Sequence, residues 1–363
     1  MKSTVTNEYW WIVRITGSLI GILMVAGCAS DSDFQQRQLA LLVEKRANRV
    51  TVLDRRINEI VGSIVTGSGP HQIAVHEASG LAAVSNYGDA DSPGASLTVI
   101  DLHLMQPVRT ISLGRYRRPH GLQFFSDGRK ILVVSEERTA LIVDAIDGLI
   151  LQMIPTGRVR PRTVLLSPNQ QIAYAIGAAD DQLVVLDTVS SRLLKVVSLP
   201  MEVEDMDLSQ NGKELWLVSR LQDSILILDT ENLEVVANLP CPGGPVSIRF
   251  LPEGSPDMAD LLISLSYDAG LSFFSSSKRN ELRRLSLKLS EEEMEHFPPF
   301  ELAPVPVEVA VDRRNRLVYV TSSNTDLVTV VDPLTFTVVR RFLVGDEPEG
   351  IAVVDLITRK EDH

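Results

Sequence analysis

Six aspartates set the frame of this chain. Asp54, Asp101, Asp144, Asp187, Asp229 and Asp332 each follow an apolar residue: Leu53, Ile100, Val143, Leu186, Leu228 and Val331. Seven residues after each comes another apolar position (Val61, Val108, Leu151, Leu194, Val236, Val339). Thirteen after come Gly67, Gly114, Gly157, Pro200 and Gly345, and the Asp229 unit turns early, at Pro240. Agreement at several offsets in six units marks an internal repeat, so the fold must be one built by repetition. At 363 residues the chain has the length of about two ordinary domains. The repeat makes it one.

Each unit has the same internal order. A first apolar run is IAV (73–75), LQFF (122–125), VLLS (164–167), MDLS (206–209), IRFL (248–251) or VAVD (309–312). Turn residues such as Ser126-Asp127-Gly128 or Asn211-Gly212 follow, as in a hairpin. A second run comes next, then a third ending in the frame aspartate, then a fourth ending in Gly or Pro. Four such runs predict a four-stranded antiparallel sheet, and no connection is long enough for a crossover helix. The frame aspartates sit where turn amides need an acceptor, which is a structural duty.

Units begin near 67, 115, 158, 201, 241 and 304, the spacing of propeller blades. The blades are expected at 67–114, 115–157, 158–200, 201–240, 241–303 and 304–345. Residues 40–66 supply three further strands and Ile351-Ala352-Val353-Val354 a fourth. The expectation is therefore an all-β, seven-bladed propeller over 40–357, closed by pairing the C-terminal strand (346–357) with the N-terminal three. Closure removes the free sheet edges.

Tyr319-Val320-Thr321-Ser322 with its downstream VTVVD, and Gly69-Pro70-His71-Gln72-Ile73-Ala74-Val75, resemble the YVTN-type seven-bladed propeller repeat. IGAA (176–179) and SRLQ (219–222) depart from that motif in the middle blades. No WD signature is present. Of three tryptophans, two (Trp10 and Trp11) precede the repeats, which leaves Trp216 and argues against a tryptophan-docked propeller. The resemblance implies a fold, since this scaffold carries unrelated activities.

The N-terminus reads as an address. Lys2 and Arg14 precede an uncharged run from Ile15 to Gly27, shorter than the ~20 apolar residues of a bilayer-spanning helix. A basic start, a short apolar run and small residues before the cut are an export signal, assigned to 1–27. Val25-Ala26-Gly27-Cys28 resembles the bacterial lipobox, which implies cleavage before Cys28 and acylation there, palmitate included. The alternative is an uncleaved anchor; Glu8 and the tryptophan pair depart from the lipobox pattern. Ala29 after the cysteine points to the outer membrane facing the periplasm in a Gram-negative cell. Residues 28–39 read as the acylated cysteine and a polar tether, and 358–363 as a polar tail. Cys241 remains as a lone thiol without a catalytic partner pattern.

The formal charge is −12, about −13 after cleavage, which excludes a surface built to grip nucleic acid. Candidate site residues begin the first strand of each blade, beside the channel. In register they are Glu349, His71, His120, Arg162 and Glu204, with Val246 and Val307 as an apolar wall. Two imidazoles and a carboxylate suit a divalent metal (His71, His120, Glu349) or acid–base work beside Arg162. The other reading is that Pro-His merely closes the loop between blades. Arg115, Arg117, Arg118, Arg158 and Arg160 form a local basic patch able to receive a carboxylate, phosphate or acidic peptide. The 241–303 blade carries Ser275-Ser276-Ser277 in place of the frame aspartate and an insertion within 251–303. There Ser290 and Glu293 make a capping-box pattern for a short helix; Asp257 belongs to a longer first hairpin.

No nucleophile elbow, P-loop, haem-attachment or zinc-protease motif occurs. No cofactor is expected. The expected function is recognition: a monomeric, lipid-anchored envelope propeller that binds a protein, peptide or small molecule at one face and channel mouth. The alternatives are a hydrolase similar to lactonase-type propellers, using His71, His120, Arg162, Glu204 and Glu349, and a periplasmic metal or ligand binder.

Overall fold

Short aliphatic runs separated by turns can bury both faces only by stacking as sheets, and that is the arrangement found. The computed structural model describes residues 34–177, 180–251, 260–297 and 303–359. Residues 36–358 form one compact unit. It contains seven four-stranded sheets, and in six of them the strands follow chain order. The first strands of neighbouring blades pack against one another around a central lumen. The seventh sheet has the order Pro348–Arg359, Phe34–Glu44, Arg49–Asp54, Glu59–Val65, the closure read from the sequence.

Boundaries shift slightly. The strand Phe34–Glu44 starts inside the stretch read as a tether, and Pro348–Arg359 continues into the stretch read as a tail. Both edges gain backbone partners in the closing sheet, so pairing overrides their polar composition. The signal segment, Cys28, Asp257 and part of IGAA (176–179) lie outside the described residues.

The core is a ring of interblade layers. One cluster joins Leu97 and Val99 of the 67–114 blade to Val133 and Leu141 of the next. Another joins Leu41 and Val52 of the closing blade to Val84 and Ile100. Each fully buried aliphatic side chain contributes roughly 1.5–3 kcal/mol, so blades are stable only as neighbours. Cys241 is a buried free thiol in one such layer, packed with Trp216 and Phe274. Burial pushes its thiol up to about 12.

The frame aspartates cap the turns after the third strands. Asp101 accepts from the amides of His103 and Leu104 at 2.8 and 3.0 Å, and Asp229 accepts from Glu231 and Asn232 at 2.8 and 3.0 Å. Just before each, the pairing of third and fourth strands shifts register, as between Val99 and Ile100. Where serine replaces aspartate, Ser275 Oγ accepts from the Lys278 amide at 3.3 Å.

Strand polarity alternates within a blade. The start of every first strand, each second-to-third turn and each connection to the next blade lie on one face, the mouth face. The frame-aspartate turns lie on the other. The helix α1 (Glu291–His296) therefore belongs to the mouth face, with the capping box between Ser290 and Glu293. Arg341 pins it, donating to Glu293 Oε1 at 2.8 Å and to Thr329 Oγ1 at 3.0 Å.

Candidate functional site at the channel mouth

The site residues are presented by bulges. Pro161 pairs with Gly177 and Thr163 with Ile176, which leaves Arg162 between them unpaired. The same shift occurs at His71, His120, Val246 and Val307, each directly after the strand's leading proline. A bulge re-aims its side chain, here into the lumen. Two glycines then bring inner strands close. A Cβ on Gly121 would lie 2.6 Å from the Arg162 carbonyl, and one on Gly350 would lie 2.6 Å from that of His71.

All seven register positions line one cavity of about 350 Å³: Glu349, His71, His120, Arg162, Glu204, Val246 and Val307. Lys45 and Arg220 join them from second-to-third turns. His71 and His120 are buried in ring contact, centroids 4.1 Å apart, and Tyr87 lies 5.4 and 5.7 Å from the two rings. His71 Nε2 faces Glu349 Oε2 at 3.5 Å. Burial lowers His71 to about 4, against the pull of Glu349 and with a further push from Lys45 and Arg162. Burial also holds His120 well below its usual value, helped by His71 and Arg162. Both imidazoles are neutral at pH 7, so each offers one donor and one acceptor.

Four polar atoms here are buried without a hydrogen-bond partner: His71 Nδ1, both ring nitrogens of His120, and Arg162 Nε. Buried polar atoms are ordinarily satisfied, so such a concentration marks a place where something else bonds. No group of three or more His, Cys, Asp and Glu among the described residues has metal-holding geometry. His71, His120 and Glu349 do not converge as a metal centre: the imidazoles meet ring to ring, and Glu349 is taken by Lys45 at 3.0 Å.

Below the mouth a charged bar crosses the lumen. Arg249 donates to Asp205 at 2.6 Å and also to Glu308, while Gln72 donates to Glu308 at 3.1 Å. The chain of bonds runs from the 201–240 blade to the 67–114 blade. Beneath the mouth lies a second cavity of about 200 Å³ that shares Gln72, His120, Arg162, Thr163, Asp205 and Glu308 as lining. Asp207, half-buried beside the bar, is raised to about 6 by desolvation, with Arg249 opposing. Glu308 is likewise raised by burial.

These bar residues were absent from the sequence-derived site. A signal was present for Arg249, a charge inside the apolar run IRFL, and likewise for Asp207 beside the bar, in MDLS. Tyr87 was also missed; it donates to Glu136 at 2.7 Å and is the penultimate residue of the second strand of its blade, Leu81–Gly88. Arg115 and Arg118 lie outside the cavity, on the mouth face. Arg115 sits over Tyr116 at 5.2 Å and Arg118 over Tyr87 at 5.0 Å.

Fold and site together define a seven-bladed β-propeller with a polar, barred channel mouth. No known protein family profile matches the chain, and no curated protein sequence does either. Among solved structures 1799 chains match, so the fold is too widespread to select an activity. One is the propeller protein dihydro-heme d1 dehydrogenase NirN in complex with DHE, at a TM-score of 0.60 and 16% identity. That match covers 86% of this chain and 74% of NirN. At that identity the likeness concerns the fold alone.

Proposed function

We propose that this is a lipid-anchored envelope propeller of the YVTN type whose channel mouth binds a polar ligand group. One observation carries the reading: His71, His120 and Arg162, each with a buried nitrogen that lacks a hydrogen-bond partner, line a single cavity. Its volume, about 350 Å³, lies at the small end of the roughly 300–1,000 Å³ typical of ligand pockets. A water-filled pocket could satisfy these atoms in part, but a fitted ligand accounts for their grouping on three adjacent blades.

Crosslinked recovery from native envelopes tests the binding. Wild-type protein is expected to retain a partner that an Arg162→Gln, His120→Asn variant loses; equal recovery by both defeats the proposal. Anchoring is tested by Cys28→Ser. The variant should leave the membrane fraction or accumulate unprocessed, and a processed, membrane-bound variant removes the lipoprotein reading.

The second reading, a lactonase-like hydrolase, draws on the neutral His71 beside Glu349 at 3.5 Å. A neutral imidazole next to a carboxylate can take a proton from water. His71→Ala with His120→Ala should then abolish lactone hydrolysis by the purified protein. Absence of hydrolysis in the wild type across a lactone panel ends this reading.

A further inference from the structure

The charges in the mouth identify the class of ligand. Three cations of the cavity and its floor already face carboxylates: Lys45 meets Glu349 at 3.0 Å, Arg220 meets Glu204 at 3.0 Å and Arg249 meets Asp205 at 2.6 Å. Arg162 differs. Its carboxylate contact among the described residues, Glu136, stays 4.0 Å from a Nε that makes no hydrogen bond. Beside it His120 is buried, and neither of its ring nitrogens makes a hydrogen bond of normal geometry. A cation held only loosely by its carboxylate and a buried imidazole, side by side at the wall of a small cavity, suit a single anionic head with two acceptor oxygens.

The surface outside sets the rest of the ligand. Arg115, Arg117, Arg158 and Arg160 are exposed on the two connections that lead into the His120 and Arg162 strands. None of their guanidinium groups has a carboxylate partner among the described residues, although the Arg160 amide donates to Asp180 at 3.2 Å. Glu136 and Glu137 stand on the hairpin between the two connections, and the arc is bounded at its edges by Asp89 and Asp91 and by Asp180 and Asp181 on neighbouring mouth-face hairpins. A long uniform polyanion would meet repulsion at both edges. A short acidic segment fits between them. Below, the Asp205–Arg249–Glu308–Gln72 bonds line the lumen, and the mouth cavity of about 350 Å³ has room for a chain end.

We infer that the mouth is a receptor for the C-terminal tail of an acidic polypeptide, with the terminal carboxylate at Arg162 and His120 and the acidic side chains on the arginine arc. The inference rests on the reading of the cavity as a ligand site.

Fluorescence anisotropy on the full-length protein in detergent micelles tests it. The probes are an N-terminally labelled hexaglutamate with a free C-terminus, the same peptide amidated, and a labelled oligothymidylate of equal length. Amidation and Arg162→Gln should each weaken binding about tenfold, the scale of one charged hydrogen-bonded contact, and together no further than either alone. Arg117→Gln with Arg158→Gln should weaken both peptides and flatten the salt dependence. Equal binding of free and amidated peptide overturns the inference, as does oligothymidylate binding as tightly as hexaglutamate, which would assign the arc to phosphate chains. The histidine ring NMR signals separate the two levels. If acetate shifts the His120 signal but hexaglutamate binds no more tightly than acetate, the tail inference falls and the cavity reading stands. If no probe moves the signal, both fall.

Discussion

Arg55 and Asp312 form an ion pair, buried on both sides, across the seam where the ring closes. Arg55 belongs to the turn after Arg49–Asp54, and Asp312 ends the first strand of the last complete blade. The same guanidinium reaches Asp355 and the Val354 carbonyl on the C-terminal strand. One side chain thus joins the beginning of the propeller, its end and its final blade. Removing one partner of a buried pair typically costs about 3–5 kcal/mol because the other charge is stranded. Arg55→Met should lower unfolding stability in urea by that order; a loss below about 1 kcal/mol would show that the seam does not depend on it.

The lumen makes opposing pH contributions. His71 falls to about 4 in the folded state from an ordinary 6.5, so the unfolded chain binds its proton first. Acidifying from 6.5 towards 4 therefore removes stability, roughly 3 kcal/mol from this group alone. Asp207, raised from 3.8 to about 6, takes its proton first in the folded state, so acidifying through 6 adds stability. Asp207→Asn should make the loss of stability on acidification steeper than in the wild type, and His71→Asn should make it shallower. Parallel stability–pH curves for all three proteins would refute the assignment.

The insertion is held locally. Arg341 is nearly buried, and its bonds to Glu293, Thr329 and the Lys288 carbonyl tie α1 to the last complete blade. Arg341→Met should raise hydrogen exchange across Glu291–His296 by at least tenfold while blade amides elsewhere keep their protection. Unchanged exchange in α1 would place the anchoring elsewhere.

Cys241 should be inert in the native protein. Burial and a thiol raised to about 12 leave almost no accessible thiolate. Ellman's reagent is expected to react with it only on denaturation, and rapid native labelling would contradict the packing described.

The frame aspartates made the fold legible because an Asx turn needs one residue type at one offset, and Asp101 and Asp229 bind their turn amides accordingly. The leading prolines made the mouth legible for a similar reason: each fixes where the bulged residue stands, so His71, His120 and Arg162 could be aligned by counting. Nothing local marks the Arg249–Glu308 bond. It joins separate blades across the lumen, and its register depends on how neighbouring bulges advance each inner strand. The neutrality of the histidines was hidden as well, since it arises from the burial created when Gly121 and Gly350 let adjacent strands approach.

The alternating strand polarity has a consequence for orientation. The strand Phe34–Glu44 is the second of its blade, so it begins on the face opposite the mouth, and Pro348–Arg359 runs towards that same face. The two strands that meet at the seam therefore both reach the face of the aspartate-capped turns, behind the mouth. Anything attached through these strands leaves the histidine–arginine mouth open to macromolecules arriving from solution.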